Sequence, residues 1–337
     1  MAAKPSSTAL GVEQIAADIH RLRLPLPFAL NHVNCYLFRG RDGWTIVDTG
    51  LHTPEAEGYW LAALADLDIG PGDIAQIVLT HVHPDHYGMA GWLQAWTGGR
   101  AVVRISQATA DAAQAIWRAP AEDWLEVTGD YLQRNGLQAS FLDAVLNSMR
   151  GMRAAVRPLP EQVETFAPGA ILHLGDRRVQ TISAQGHADD QVVFYDPEDR
   201  LLLCGDQVLM RITPNVGTWP TTPANPLARF LRDLNKLQQL EVRLALPGHR
   251  RLVEDFPARV QELFRHHDTR LQATRNAIPQ EGATTLEIAR RVFPLDQYGV
   301  HEVRFAVAET LAHLEHLVDA GRASRSEKDG VWRFHRA

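Results

Sequence analysis

Lysine is almost missing from this chain: only Lys4, Lys236 and Lys328 occur, although Lys and Arg together number 34. Arginine carries nearly all the positive charge, a skew that fits codon bias in a G+C-rich genome. With a net charge of −6 the molecule has no general attraction for nucleic acid. Two cysteines, Cys35 and Cys204, both within apolar runs, exclude a disulfide scaffold and read as small buried hydrophobes. No apolar run is long enough to span a bilayer, and Met1–Leu10 lacks the apolar stretch of a secretory leader, so the expected compartment is the cytoplasm. What remains, at 337 residues with 45% hydrophobic and 22% charged side chains, is an ordinary globular composition with room for one large core and a satellite unit.

Against that background one stretch carries the chemistry. In Thr80-His81-Val82-His83-Pro84-Asp85-His86-Tyr87-Gly88, four potential metal donors fall within six consecutive positions. The stretch directly follows the apolar run Ile77-Val78-Leu79. Imidazole and carboxylate suit a borderline divalent cation such as zinc, with iron or manganese as alternatives. Three further candidates come downstream, each after a short hydrophobic run: His187 in Gln185-Gly186-His187, Asp206 after Leu201–Gly205, and His249 after Leu244–Gly248. Buried strands of an α/β protein end in this way, and the loops beyond them form sites. Asp48-Thr49-Gly50, after Trp44–Val47, reads both as a turn and as a source of hydrogen bonds to ligands.

The order His-x-His-x-Asp-His, followed by histidine, aspartate and histidine, resembles the metallo-β-lactamase superfamily. The resemblance implies an α+β fold, an αββα sandwich. It implies that His81, His83 and His187 hold one metal and that Asp85, His86 and His249 hold a second. Asp206 would bridge the two, and Asp48 would orient ligands. Two divalent cations roughly 3.5–4 Å apart convert a bridging water to hydroxide near neutral pH. That hydroxide would attack an ester, thioester or lactone carbonyl. Asp85 would serve as both ligand and proton relay, and is the candidate catalytic residue.

The organisation fits that frame. Residues 12–105 read as strands with one helix near Glu55–Leu67, and Val33–Phe38 with Trp44–Val47 as a core hairpin. Residues 107–165 read as a helical insertion, with Leu142, Val145, Leu146 and Met149 at helical spacing. The expectation is a lid that shapes a substrate pocket. Strands resume at Arg177–Ser183, Val192–Tyr195 and Leu201–Leu203, and helices follow from Asn225-Pro226 and over 257–276. Residues 1–280 thus form the expected catalytic domain. In 281–337, a capping box at Thr284–Glu287, a helix from His301 to Ala320, and a hairpin turning at Lys328-Asp329-Gly330 make a winged-helix pattern. It resembles the C-terminal extension of the branch that includes β-lactamase-like-protein-2 type endoribonucleases.

Three functions follow. The leading one is a hydrolase of small esters, thioesters or lactones, similar to the glyoxalase II-type hydroxyacylglutathione hydrolases, although that family's basic glutathione-binding residues cannot be placed here. The others are an endonuclease of single-stranded RNA and an iron-dependent redox enzyme. Residues 284–337 hold eight Arg/Lys and eight Asp/Glu, a balance of zero that disfavours a phosphate-tracking surface. A small-molecule substrate is expected, no membrane partner is, and a homodimer is compatible with the chain.

Overall fold

The computed structural model describes residues 11–220 and 222–337; the leader reading of Met1–Leu10 lies outside them. One sheet is built in chain order from β1 (Gly11–Ala16), β2 (Ile19–Pro25), β3 (His32–Gly40), β4 (Gly43–Val47), β5 (Ile74–Val78), β6 (Val102–Ser106) and β7 (Val163–Phe166). Its first four strands are antiparallel and β4 to β7 run parallel. The helices along this half are α1 (Pro54–Asp66), α2 (Pro84–Tyr87), α3 (Ala90–Trp96), α4 (Gln107–Ala113), α5 (Ala121–Arg134) and α6 (Ala139–Ala154), with a π-helical stretch Gln114–Arg118 after α4. The second sheet holds β8 (Ile171–Leu174), β9 (Arg177–Ser183), β10 (Val192–Asp196), β11 (Leu201–Gly205) and β12 (Leu244–Pro247), in the order 12-11-10-9-8. Helices α7 (Pro226–Leu237), α8 (Phe256–Ala277), α9 (Thr285–Val292) and α10 (Val300–Asp319) complete the chain, with the hairpin β13 (Ala323–Lys328) and β14 (Val331–Arg336).

The two-residue period of the strands makes the layers. In β3, Val33, Cys35 and Leu37 face a core shared with α1 and α3, while Tyr36 and Phe38 face the second sheet. In β10, Val192 and Phe194 meet the first sheet, and Val193 and Tyr195 pack toward α7 and α8. Both faces of the central strands are therefore buried, which explains why they are continuously apolar rather than alternating. The result is helices, sheet, sheet, helices. Phe194, fully buried between the sheets, would cost about 3–5 kcal/mol if cut to Ala.

The hairpin β3–β4 and the strands β9, β10 and β11 lie where the hydrophobic runs place them. Three features differ from the sequence reading. The metal-motif loop is itself partly helical: α2 opens with Pro84 at its first position, and α3 follows. The helical segment ends in β7, which pairs with β6, so residues 163–166 belong to the first sheet. Strand β8 was not foreseen because it is a short edge strand with Ile171 exposed.

The α6 stripe is also not an open surface. Leu142, Val145 and Met149 are buried with Leu125 and Leu132 of α5 against Ala289, Val303, Ala306 and Val307 of α9 and α10. Asn135 tightens this joint, its carbonyl accepting from Leu286 N at 3.1 Å and its side chain from Thr285 at 2.6 Å. The capping box of Thr284 and Glu287 is formed, and Asp329 and Gly330 take the positive φ values that a two-residue hairpin turn requires. Among the described residues no helix is long and apolar enough to cross a membrane.

Candidate metal centre

All seven candidate donors converge at one end of the sandwich. Strands β4 and β5 run parallel, as do β11 and β12, so their C-terminal ends lie side by side. Beyond β4 comes Asp48; beyond β5 come His81, His83, Asp85 and His86; beyond β11 and β12 come Asp206 and His249. His187 stands in the loop between β9 and β10. Bonds between the sheets lock these ends together: Val192 N donates to Thr80 O at 2.9 Å, and Asn34 N to Gly248 O at 2.7 Å.

Hydrogen bonds fix which ring nitrogen each histidine presents. His86 Nδ1 donates to Asp48 Oδ2 at 2.8 Å. His187 Nδ1 donates to the Asn215 carbonyl at 2.9 Å, and His249 Nδ1 to the His32 carbonyl at 2.8 Å. Thr80 Oγ1 donates to Asp48 Oδ2 at 2.8 Å, which leaves it to accept from His81 Nδ1 at 2.9 Å. Each of these four rings therefore turns its Nε2 inward, while His83 brings Nδ1 to 3.0 Å from His81 Nε2. Outer partners of this kind set tautomer and ring orientation in metal sites.

The inward atoms form adjoining groups. His81, His83 and His187 offer atoms within 4.8 Å of one another, as do His81, His86 and Asp206, and Asp85, His86 and His249. Asp206 faces both sides: Oδ1 lies 3.5 Å from His86 Nε2, and Oδ2 lies 3.5 Å from His187 Nε2 and 3.2 Å from His249 Nε2. The Asp85 carboxylate is 3.3 Å from His249 Nε2. The Nε2 atoms of His86, His187 and His249 and Oδ1 of Asp206 are buried, and among the described residues none has a hydrogen-bond partner. Each such atom costs about 1–3 kcal/mol unless a further group satisfies it, and this donor set is that of a divalent-cation site. The residues present fit a metal.

The electrostatics agree. Burial pushes His81 well below the ordinary imidazole range, reinforced by His86 and His83, and brings His83 down to about 3. Both rings are thereby kept neutral at pH 7. Burial acts the same way on His86, but Asp206, Asp48 and Asp85 outweigh it and hold the ring well above that range. His249 is raised to about 10 against burial, by Asp206 and Asp85. Burial opposes ionisation of Asp206 and Asp85, yet the facing imidazoles keep both carboxyls far below their usual values. The carboxylates make this a place where positive charge is strongly favoured.

Asp48 lies where an orienting part would need it: besides His86 it accepts from Thr80 N at 2.8 Å. Three supporting residues carry no motif. Gln191 Oε1 accepts from Asp206 N at 2.9 Å and so fixes that carboxylate's backbone. Asp190, raised to about 6 by burial, accepts from Val82 N at 2.7 Å and holds the metal loop. Asn215 anchors His187 and reaches α10 through Glu309 Oε2 at 3.3 Å. Gly248 is required by close approach, since an added Cβ would strike Asp206 Oδ1 and sit 2.6 Å from His86 Cε1.

Comparison with known proteins follows the same outline. The family model of the metallo-beta-lactamase superfamily matches residues 29–249, and that of the metallo-beta-lactamase-like C-terminal domain matches residues 271–337. A metallo-beta-lactamase family protein from Thermus thermophilus has a similar structure, with a TM-score of 0.84, 32% identity, and coverage of 96% of this chain and 100% of that one. A beta-lactamase domain protein from Burkholderia ambifaria gives 0.85 and 29%, over 99% of this chain and 97% of that one. The probable metallo-hydrolase YqjP of Bacillus subtilis (strain 168) is 24% identical over 323 residues, covering 93% of this chain and 96% of its own. An atrochrysone carboxyl ACP thioesterase of Aspergillus fumigatus is 26% identical over 120 residues, 35% of each chain.

Proposed function

The chain belongs to the metallo-beta-lactamase superfamily and is a metal-dependent hydrolase of that fold, and from that premise we propose that it cleaves an ester, thioester or lactone at a two-metal centre. His81, His83 and His187 would hold one metal and Asp85, His86 and His249 the other, with the Asp206 carboxylate shared by the two sets. Zinc is the metal to which this donor set is best suited. One observation carries the reading: the buried Asp206 carboxylate faces His187 of one set and His86 and His249 of the other at 3.2–3.5 Å.

When bound, a pair of divalent cations acidifies water and polarises the substrate's carbonyl oxygen. The protein's own part is positioning and proton handling. Asp48, Thr80, His32 and Asn215 hold four imidazoles in the ligating tautomer through the bonds given above. Asp85 is the least buried of the carboxylates that face the centre, with 13% of its side chain accessible. That makes it the group placed to take a proton from water and pass it outward. The thioesterase name of a partial relative supports a thioester as the first substrate to try, including one of the hydroxyacylglutathione type.

We read residues 281–337 as a winged-helix-like unit that packs rather than binds nucleic acid. Its helices bury apolar faces against α5, α6 and α8, and its charge balance is zero. The test is a panel of thioester, lactone, phosphodiester and single-stranded RNA substrates given to protein purified without chelator. Acyl substrates should turn over, and chelation should stop the reaction. Cleavage of RNA or phosphodiester with no acyl hydrolysis would overturn the reading in favour of an endonuclease.

A further inference from the structure

Helix α10 does more than pack. Its first turns stand beside the metal centre, because Asn215, whose carbonyl anchors His187, also donates to Phe305 O at 3.4 Å. Thr218 N in the same loop donates to Ala308 O at 3.1 Å. On this side five half-buried side chains form a continuous cluster: Phe28 from the loop before β3, Trp219 from the loop after β11, and His301, Arg304 and Phe305 from α10. Phe28 stacks on His301 at 5.2 Å, and His301 meets Phe305 edge-on at 4.7 Å. The Arg304 guanidinium lies 5.0 Å from the Trp219 ring and 4.7 Å from the Phe305 ring.

Among the described residues Arg304 has neither a carboxylate partner nor a hydrogen-bond acceptor. Glu302, the nearest acid in the chain, is folded back toward Gly299, where an added Cβ would lie 2.8 Å from its Oε2. Burial lowers the guanidinium to about 10. His301 is lowered to about 4 by burial and then by Arg304, while Glu302 and Asp85 pull the other way. It is thus a neutral ring set between Phe28 and Phe305 beside Arg304. A packing cation–π contact is worth only about 0.5–1 kcal/mol at a partly exposed site. A half-buried guanidinium held between two aromatic rings, with no anion among the described residues, has its donors free for an anion that arrives with a ligand.

We propose that Arg304, assisted by His301, binds a carboxylate or phosphate group of the substrate, while Phe28, Trp219 and Phe305 take its apolar part. This rests on the acyl-hydrolase reading and narrows it to esters and thioesters that carry a negative charge near the scissile bond. Two arms test it with metal-loaded protein. In the first, benzylsuccinate, benzylphosphonate and the neutral diamide of benzylsuccinate are titrated calorimetrically into the parent, Arg304→Gln and Arg304→Lys. At least one anion should bind the Gln variant roughly 10- to 100-fold more weakly, with partial recovery in Lys and no change for the diamide. The anion that binds the parent more tightly identifies the source. Any direct metal coordination contributes to parent and variant alike and drops out of the ratio.

In the second arm, kcat/KM is compared for the succinyl and butyryl thioesters of N-acetylcysteamine. Arg304→Gln should lose roughly 10- to 100-fold on the succinyl ester, mainly in KM, and stay within about threefold on the butyryl ester. Equal losses on both esters, or equal anion binding by parent and variant, would overturn the anion site. Discrimination in the first arm with no thioester hydrolysis by the parent would instead sink the acyl-hydrolase reading and leave the anion site standing.

Discussion

Asp48→Asn removes one negative charge and almost none of the side chain's shape. In the native site Asp48 accepts from Thr80 N, from Thr80 Oγ1 and from His86 Nδ1, all at 2.8 Å for the shorter contact of each. The amide oxygen of Asn can keep the bond from Thr80 N, but its NH2 group then faces His86 Nδ1. Two donors cannot share that contact, so the ring moves its proton to Nε2, the nitrogen that must stay free to bind metal. A hydrogen bond to a charged partner is worth about 1.5–3 kcal/mol, which converts to a loss of metal affinity of roughly 10- to 100-fold. The loss should fall on the metal held by Asp85, His86 and His249. Zinc titration of stripped protein against a chromophoric chelator reads it directly, and thermal unfolding of the metal-free forms checks the fold. Unchanged affinity for both metals in a folded variant would refute the orienting role and the tautomer argument together.

Gly248→Ala should lose activity by roughly 100-fold, because its Cβ collides with Asp206 Oδ1 and crowds His86; substrate turnover with circular dichroism as control checks it, and near-normal rates would show that the loop relaxes freely. Glu309→Gln tests a pH effect. Burial raises this carboxyl to about 7, so the folded state holds a proton that the unfolded state releases from about pH 4.5 upward. Native stability should therefore fall by about 3 kcal/mol between pH 4.5 and 7 and then level off, and the Gln variant should lack that slope in urea unfolding. An identical slope in the two proteins would remove Glu309 as its cause.

Much of the site was legible because donors follow the ends of strands, and those before Asp206 and His249 are buried on both faces. Leu201–Gly205 and Leu244–Pro247 announce themselves as continuous apolar runs, and the residues just past them lie at the sandwich's end. What escaped has a physical reason in each case. Strands β7 and β8 are four-residue edge segments with exposed side chains, so they lack a hydrophobic signature. Gln191 and Asn215 act on Asp206 and His187 across 15 and 28 positions of sequence, and contacts of that kind leave no local pattern. The helical segment read as apolar and Met-containing, but its period could not say whether Met149 faces a pocket or a partner helix; the partner is α10. Charge over 284–337 sums to zero, and a sum cannot reveal that Arg304 has no counter-ion among the described residues.

The central claim is that Asp206 couples two metals, and the most direct measurement is metal stoichiometry against activity in the same samples. Stripped protein is reconstituted stepwise with zinc, and bound metal and acyl-ester turnover are followed together for the parent and for Asp206→Ala. Parental activity should rise until about two equivalents are bound, and Asp206→Ala should stay folded, bind less metal and be inactive. Full activity at one equivalent, or an Asp206→Ala variant within a few-fold of the parent, would contradict it.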